Sequence, residues 1–82
     1  MIEVPVTLTV SEWRPGLKSI SLMRLIRHHT GCGLGESKRM VEDLLENTPI
    51  ELQFEDSVRM REFVAEAEPL GVNFSNARFD GL

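Results

Sequence analysis

Hydrophobic and polar residues alternate in two stretches of the chain, and this alternation is the pattern of a strand with one buried face. The first stretch covers residues 4–10, where valines and a leucine alternate with Pro5 and two threonines. Pro5 indicates the start or the edge of a sheet, because proline cannot donate a ladder hydrogen bond. The second stretch contains Ile50, Leu52 and Phe54. We expect a third, short strand at residues 72–74.

Between these strands the hydrophobic spacing changes to three or four residues, which predicts three amphipathic helices. The first is expected over residues 17–29, the second over residues 34–46 before Pro49, and the third from a cap at Asp56 or Ser57 to a stop at residues 69–71. Residues 13–16 read as a loop on which Trp13 packs. The first helix is predicted to face the core with Leu22, Leu25, Ile26 and His29. The second is predicted to do so with Leu34, Val41, Leu44 and Leu45, and its small Ser37 allows close approach of another helix. For the third helix the predicted inward residues are Val58, Phe63, Val64 and Ala67.

The predicted order of elements is β-α-α-β-α-β in a chain of 82 residues. A chain of this length has room for one hydrophobic core, so residues 1–82 are expected to form a single domain. Three short strands with the helices on one face make an α+β, two-layer sandwich: three helices on a three-stranded antiparallel sheet.

The outward face of the first helix carries an unusual combination of residues. Ile20, Arg24 and Arg27 project away from the predicted core, and Met23 lies at the boundary between buried and exposed positions. Gly31 and Gly33 interrupt the helical pattern and predict a tight turn between the first two helices. That turn brings Lys38 of the second helix towards the same surface.

Charge is distributed unevenly along the chain. Its net charge is −4, which argues against binding along a nucleic-acid backbone. From Arg14 to Arg39 there are six cationic residues and one acid, Glu36, whereas residues 40–68 hold nine carboxylates and two arginines. Such asymmetry orients a protein towards an acidic partner.

No residue pattern indicates catalysis, a cofactor or a metal. Cys32, His28 and His29 do not make a zinc site, since adjacent histidines on a helix diverge by about 100° and no further Cys or His pair completes the ligands. The glycines near residue 33 do not match a phosphate-binding loop. We therefore expect a protein that is not an enzyme, without a membrane segment or secretory signal, located in the cytoplasm.

Residues 18–27, followed by Thr30-Gly31-Cys32-Gly33-Leu34-Gly35-Glu36-Ser37-Lys38 and Val41-Glu42, resemble the C-terminal domain of the bacterial large-subunit ribosomal stalk protein (L seven/L twelve). A weaker resemblance extends over residues 4–74. Gly35 and Ser19 stand where that family commonly has lysines. The family's N-terminal dimerisation helices and hinge are not part of the resemblance, so we expect no attachment to the stalk base in the usual way.

The resemblance implies a module that recruits translation GTPases to the ribosome through its first two helices. The partner-binding residues that it implies are Ile20, Met23, Arg24, Arg27 and Lys38. Two alternatives remain open. One is an adaptor or small inhibitor of a partner outside translation, similar to the Clp protease adaptor, whose acidic pocket motif is not found here. The other is a small thiol or metal enzyme that uses Cys32 or His29.

Overall fold

A computed structural model describes residues 5–79 of the chain, and for Phe79 only the backbone. Within this range the elements are β1 (Val6–Trp13), α1 (Ser19–Thr30), α2 (Leu34–Leu45), β2 (Ile50–Phe54), α3 (Ser57–Gly71) and β3 (Val72–Phe79). The strands form an antiparallel sheet in the order β2-β1-β3. The predicted α+β fold, with three helices and a three-stranded antiparallel sheet, is confirmed. The predicted first residue of the strand pattern, Val4, lies outside the described residues.

The core lies between the sheet and the helices, and Phe63 of α3 is at its centre. Its ring packs against Phe54 of β2, with centroids 5.3 Å apart, and against Phe74 of β3 at 6.2 Å. Val6, Leu8 and Val10 point into the core from β1, while Leu22 and Ile26 do so from α1. Alternation along the strands therefore directs one face of the sheet into the apolar interior.

Three predicted core positions are wrong. Leu34 and Val58 are 60% and 61% exposed, and Leu45 is 39% exposed. Leu34 is the first residue of α2 and Leu45 lies on the flank of that helix, next to the buried Leu44. In α3 the buried face consists of Met60, Phe63, Ala67 and Gly71, and Val58 is about 140° from Phe63 around the helix. Leu25 and Val64 are only half-buried.

The third helix ends at Gly71, within the stop that its sequence predicts at residues 69–71, and it includes Pro69. The segment after β1 satisfies its last carbonyl groups: the amide of Arg14 donates to Gly71 O at 2.8 Å, and the amide of Lys18 donates to Leu70 O at 3.0 Å. The Arg14 side chain donates to Glu68 O. These long-range donors replace the local capping groups that normally end a helix.

The strands β1 and β3 continue further towards the C-terminus than predicted. Trp13 belongs to β1 and pairs with Val72, rather than lying in a loop, although it packs on the core as expected. The strand β3 continues past residue 74 to Phe79, and its pairing with β1 shifts register between Thr9 and Val10 and between Val10 and Glu12. Among the described helices none has the length and apolar character required to cross a membrane.

Candidate functional site

The outward face of α1 is a stripe of one apolar and several cationic side chains. Ile20, Arg24 and Arg27 follow one another at spacings of four and three residues, so they lie on the same side of the helix. All three are exposed, and Ile20 is 64% exposed. Met23, beside them, is half-buried and packs against the core. The prediction that the isoleucine and the arginines lie outside the core is confirmed.

The opposite face of α1 explains this orientation. Leu22, Ile26 and His29 are buried against the sheet and α3, and they occupy the side of the helix that faces away from Ile20. The helix cannot rotate to bury Ile20 without bringing these three residues into solvent. The exposed isoleucine is thus a consequence of the way in which the helix is fixed to the core.

A short junction joins α1 to α2 and fixes the end of each helix. Gly31 ends α1 with φ 73°, in the left-handed region that favours glycine, and its amide donates to Arg27 O at 2.9 Å. Gly33 precedes α2 with an ordinary extended backbone, and its carbonyl accepts from the Ser37 amide at 3.0 Å. The Ser37 side chain is fully buried and donates to Leu34 O at 2.9 Å. Only Gly31 requires the conformational freedom of glycine here.

The second helix adds an exposed cation and an exposed leucine. Lys38 and Leu34 are one turn apart, so they share a flank of α2. The opposite flank carries Glu36 and Met40, which face β2. Sequence reasoning assigned Leu34 to the core because its spacing from Val41 matches a helical face. Its position at the first turn leaves it without core residues beside it.

We use the name α1–α2 face for the exposed or half-buried residues that the two helices carry here, namely Ile20, Met23, Arg24, Arg27, Leu34 and Lys38. Its cationic members form no ion pairs among the described residues, so their charges are directed to solvent. Arg14, in contrast, donates internally to Val72 O at 3.1 Å and to Asn73 Oδ1. Its guanidinium joins the segment after β1 to β3 and does not contribute to the face.

The residues considered for thiol or metal chemistry do not converge. His28 is exposed, whereas His29 is buried with its Nε2 atom 3.0 Å from Glu66 Oε2. Cys32 is a half-buried free thiol in the junction. In residues 5–79, no group of three or more His, Cys, Asp or Glu side chains has an arrangement that suits a metal ion.

Comparisons with protein-family models, with curated proteins and with solved structures find no match to this chain.

Proposed function

We propose that this domain is a protein-interaction module without catalytic activity, which binds an acidic partner through the α1–α2 face. The observation that carries this proposal is the exposure of Ile20 in line with Arg24 and Arg27, on a helix whose opposite face is held in the core. An exposed apolar residue beside cations suits a modest protein interface. Removing the apolar atoms from water supplies affinity, and the cations supply steering and register.

We further propose a translation GTPase as the partner, at the ribosome and in the cytoplasm. Support for this choice comes from the resemblance of residues 18–42 to the factor-binding part of the ribosomal stalk protein. In that resemblance, Ile20, Met23, Arg24, Arg27 and Lys38 are the residues of contact. The exposure of Leu34 next to Lys38 is consistent with a face that extends across both helices.

The test is a binding titration of the purified domain with a purified bacterial elongation factor, using calorimetry on matched pairs of variants. Ile20→Asp and Val58→Asp each place a carboxylate at an exposed aliphatic position, 64% and 61% exposed, on different helices. Arg27→Glu and Arg61→Glu each reverse one exposed cation. We expect the Ile20 and Arg27 variants to lose binding, by about tenfold or more each, and the Val58 and Arg61 variants to bind like the wild type.

Two results would contradict parts of this account. Equal binding by Ile20→Asp and Val58→Asp would mean that the α1–α2 face does not make the contact. Absence of binding by the wild-type domain to initiation, elongation and release factors alike would exclude the translation GTPases. In that case an adaptor role outside translation is the next candidate.

A further inference from the structure

A groove lies on the other side of α2, at the free edge of the sheet. It has a volume of about 490 Å³ and is lined by the α1–α2 junction, by α2 and by β2. Its lining includes the half-buried Cys32 and Met40, the buried Leu52 and the exposed Glu36. Glu36 and Lys38 are about 200° apart around α2. The groove is therefore separated by the body of this helix from the cation of the α1–α2 face.

The wall formed by β2 is an unpaired strand edge. Among residues 5–79, β2 pairs with β1 alone, so every second residue directs its N–H and C=O groups outward, away from the sheet. The pairing to β1 is regular from Ile50 to Phe54. An unpaired edge of this kind can accept another strand. In contrast, β3 at the opposite edge of the sheet has register shifts.

The backbone of β2, more than its side chains, borders the groove. Three consecutive residues, Glu51, Leu52 and Gln53, line it, although their side chains alternate between the two faces of the sheet. Leu52 is buried beneath the helices, and the Glu51 carboxylate points to the other face, where it lies 3.9 Å from Arg78. The groove consequently offers main-chain hydrogen bonds along β2, with the half-buried Met40 and Cys32 on its other side.

The charges around the groove favour one kind of occupant. Glu36 supplies the negative charge of this groove, because the Glu51 carboxylate lies on the other face of the sheet, and no lysine or arginine of residues 5–79 lines the groove. An arginine or lysine side chain can lay its aliphatic stem on apolar atoms and keep its cationic group in water. Such a side chain would extend over the half-buried Met40 towards the Glu36 carboxylate.

We propose that this groove binds an extended peptide segment, which adds a strand to the edge of β2 and places one cationic side chain beside Glu36. Strand addition of this kind draws affinity from main-chain hydrogen bonds and specificity from pockets for alternate side chains. The site takes a cationic strand, whereas the α1–α2 face takes an acidic partner. The two surfaces can act independently on one small domain.

The probe is a synthetic heptapeptide in which threonine and valine alternate around a central arginine, with both ends blocked. It is titrated into the ¹⁵N-labelled domain and followed by two-dimensional NMR. We expect saturable shifts at the amides of residues 51–53 and 32–36. A peptide with a central glutamate should bind at least about fivefold more weakly, because it brings a second carboxylate to Glu36.

Two matched comparisons separate strand addition from non-specific attraction. Glu36→Lys should weaken binding of the arginine peptide about fivefold or more, while Glu42→Lys, an equal charge change on the outer side of α2, should change it less than about twofold. Peptides N-methylated at one or the other set of alternating amides should differ. Methylation of the amides that face β2 should abolish binding, because these amides donate to the strand, whereas methylation of the other set should leave binding intact.

Several results would overturn the proposal. These are the absence of saturable shifts at residues 51–53, equal binding of the two N-methylated peptides, or equal effects of Glu36→Lys and Glu42→Lys. Concentration-dependent shifts of the β2 amides without peptide, together with a dimer in sedimentation, would show that a second copy covers this edge. The Ile20→Asp variant should bind the peptide like the wild type, so failure of the α1–α2 face and failure of the groove are distinguishable.

Discussion

His29 and Glu66 connect the end of α1 to α3 through one contact, in which His29 Nε2 lies 3.0 Å from Glu66 Oε2. The His29 side chain is buried, whereas Glu66 is largely exposed. The other ring nitrogen, Nδ1, is buried without a hydrogen-bond partner. An ionised carboxylate can only accept, so Nε2 carries the hydrogen and donates it to Glu66. The imidazole also packs edge-on against Phe63, with ring centroids 5.7 Å apart.

This contact predicts different outcomes for its two partners. Glu66→Ala leaves both ring nitrogens of a buried histidine without partners, and we expect it to lower the free energy of unfolding by about 1–2 kcal/mol. His29→Leu removes the buried polar atoms together with their need for partners, while Glu66 remains hydrated. We expect this variant to lie within about 1 kcal/mol of the wild type, or to be more stable. Urea denaturation measures the free energy of unfolding of both variants. A larger loss of stability in His29→Leu than in Glu66→Ala would contradict the prediction.

The Arg14 guanidinium is predicted to contribute to stability although arginine is usually a surface residue. It donates to carbonyl groups of Glu68 and Val72 and to the side chain of Asn73, so it joins the segment after β1 to α3 and β3. Arg14→Ala should lower the free energy of unfolding by about 1–2 kcal/mol.

Arg61→Ala is the matched control for Arg14, because Arg61 is an exposed arginine on α3. We expect it to change the free energy of unfolding by less than about 0.5 kcal/mol. Equal thermal stability of the two variants would show that the internal hydrogen bonds of Arg14 contribute nothing.

Two glycines should respond oppositely to substitution by alanine. Gly71 has φ 116°, and a Cβ atom there would lie 3.1 Å from Leu17 Cα, so Gly71→Ala is expected to cost about 1–3 kcal/mol. Gly35 lies in the first turn of α2, where a Cβ meets no atom within 4 Å. Gly35→Ala should therefore stabilise the domain, by up to about 1 kcal/mol. Thermal unfolding measures both, and a stabilising Gly71→Ala or a destabilising Gly35→Ala would be inconsistent with this packing.

The α1–α2 face should be replaceable without loss of the fold. Ile20 is largely exposed, and Arg24 and Arg27 form no ion pair among the described residues. We expect Ile20→Asp to change the free energy of unfolding by less than about 0.5 kcal/mol, and Arg27→Glu, a charge reversal in the last turn of α1, to lower it by about 1 kcal/mol or less. Denaturation curves that move by several times these amounts would mean that these side chains hold the fold together. A loss of partner binding by these variants would then reflect unfolding and would not identify a binding surface.

The sequence allowed prediction of those features that depend on local spacing. Alternation at residues 6–10 and 50–54 identified two strands, and the spacing of Leu22, Ile26 and His29 oriented α1 correctly, which in turn exposed Ile20. Val58 was wrongly assigned to the buried face of α3 together with Phe63. Residues five positions apart point about 140° away from each other around a helix, so they do not share one face. Its neighbour Met60 takes the buried position instead.

The features that were missed depend on contacts between distant segments. The helix α3 ends at residues 69–71 as expected, but its last carbonyl groups accept hydrogen bonds from the amides of Arg14 and Lys18, about fifty residues away along the chain, and local spacing does not indicate these partners. Leu34 fits a helical face by spacing, but its position at the end of α2 decides its exposure. The groove beside β2 depends on which strand is at the sheet edge, and the sequence does not reveal this order. Its lining residues come from three elements and have no common motif.

The most direct test of the account is to map the partner's contact on the domain itself. The ¹⁵N-labelled protein is mixed with a purified bacterial elongation factor, and the amide signals that shift or broaden selectively are assigned. We predict that they belong to residues 19–27 and 34–38, and that the Ile20→Asp variant loses the effect while Val58→Asp retains it. Selective changes confined to α3 and the sheet, or an unchanged spectrum at saturating factor, would contradict the claim that the exposed isoleucine and the cations of the α1–α2 face are a binding surface.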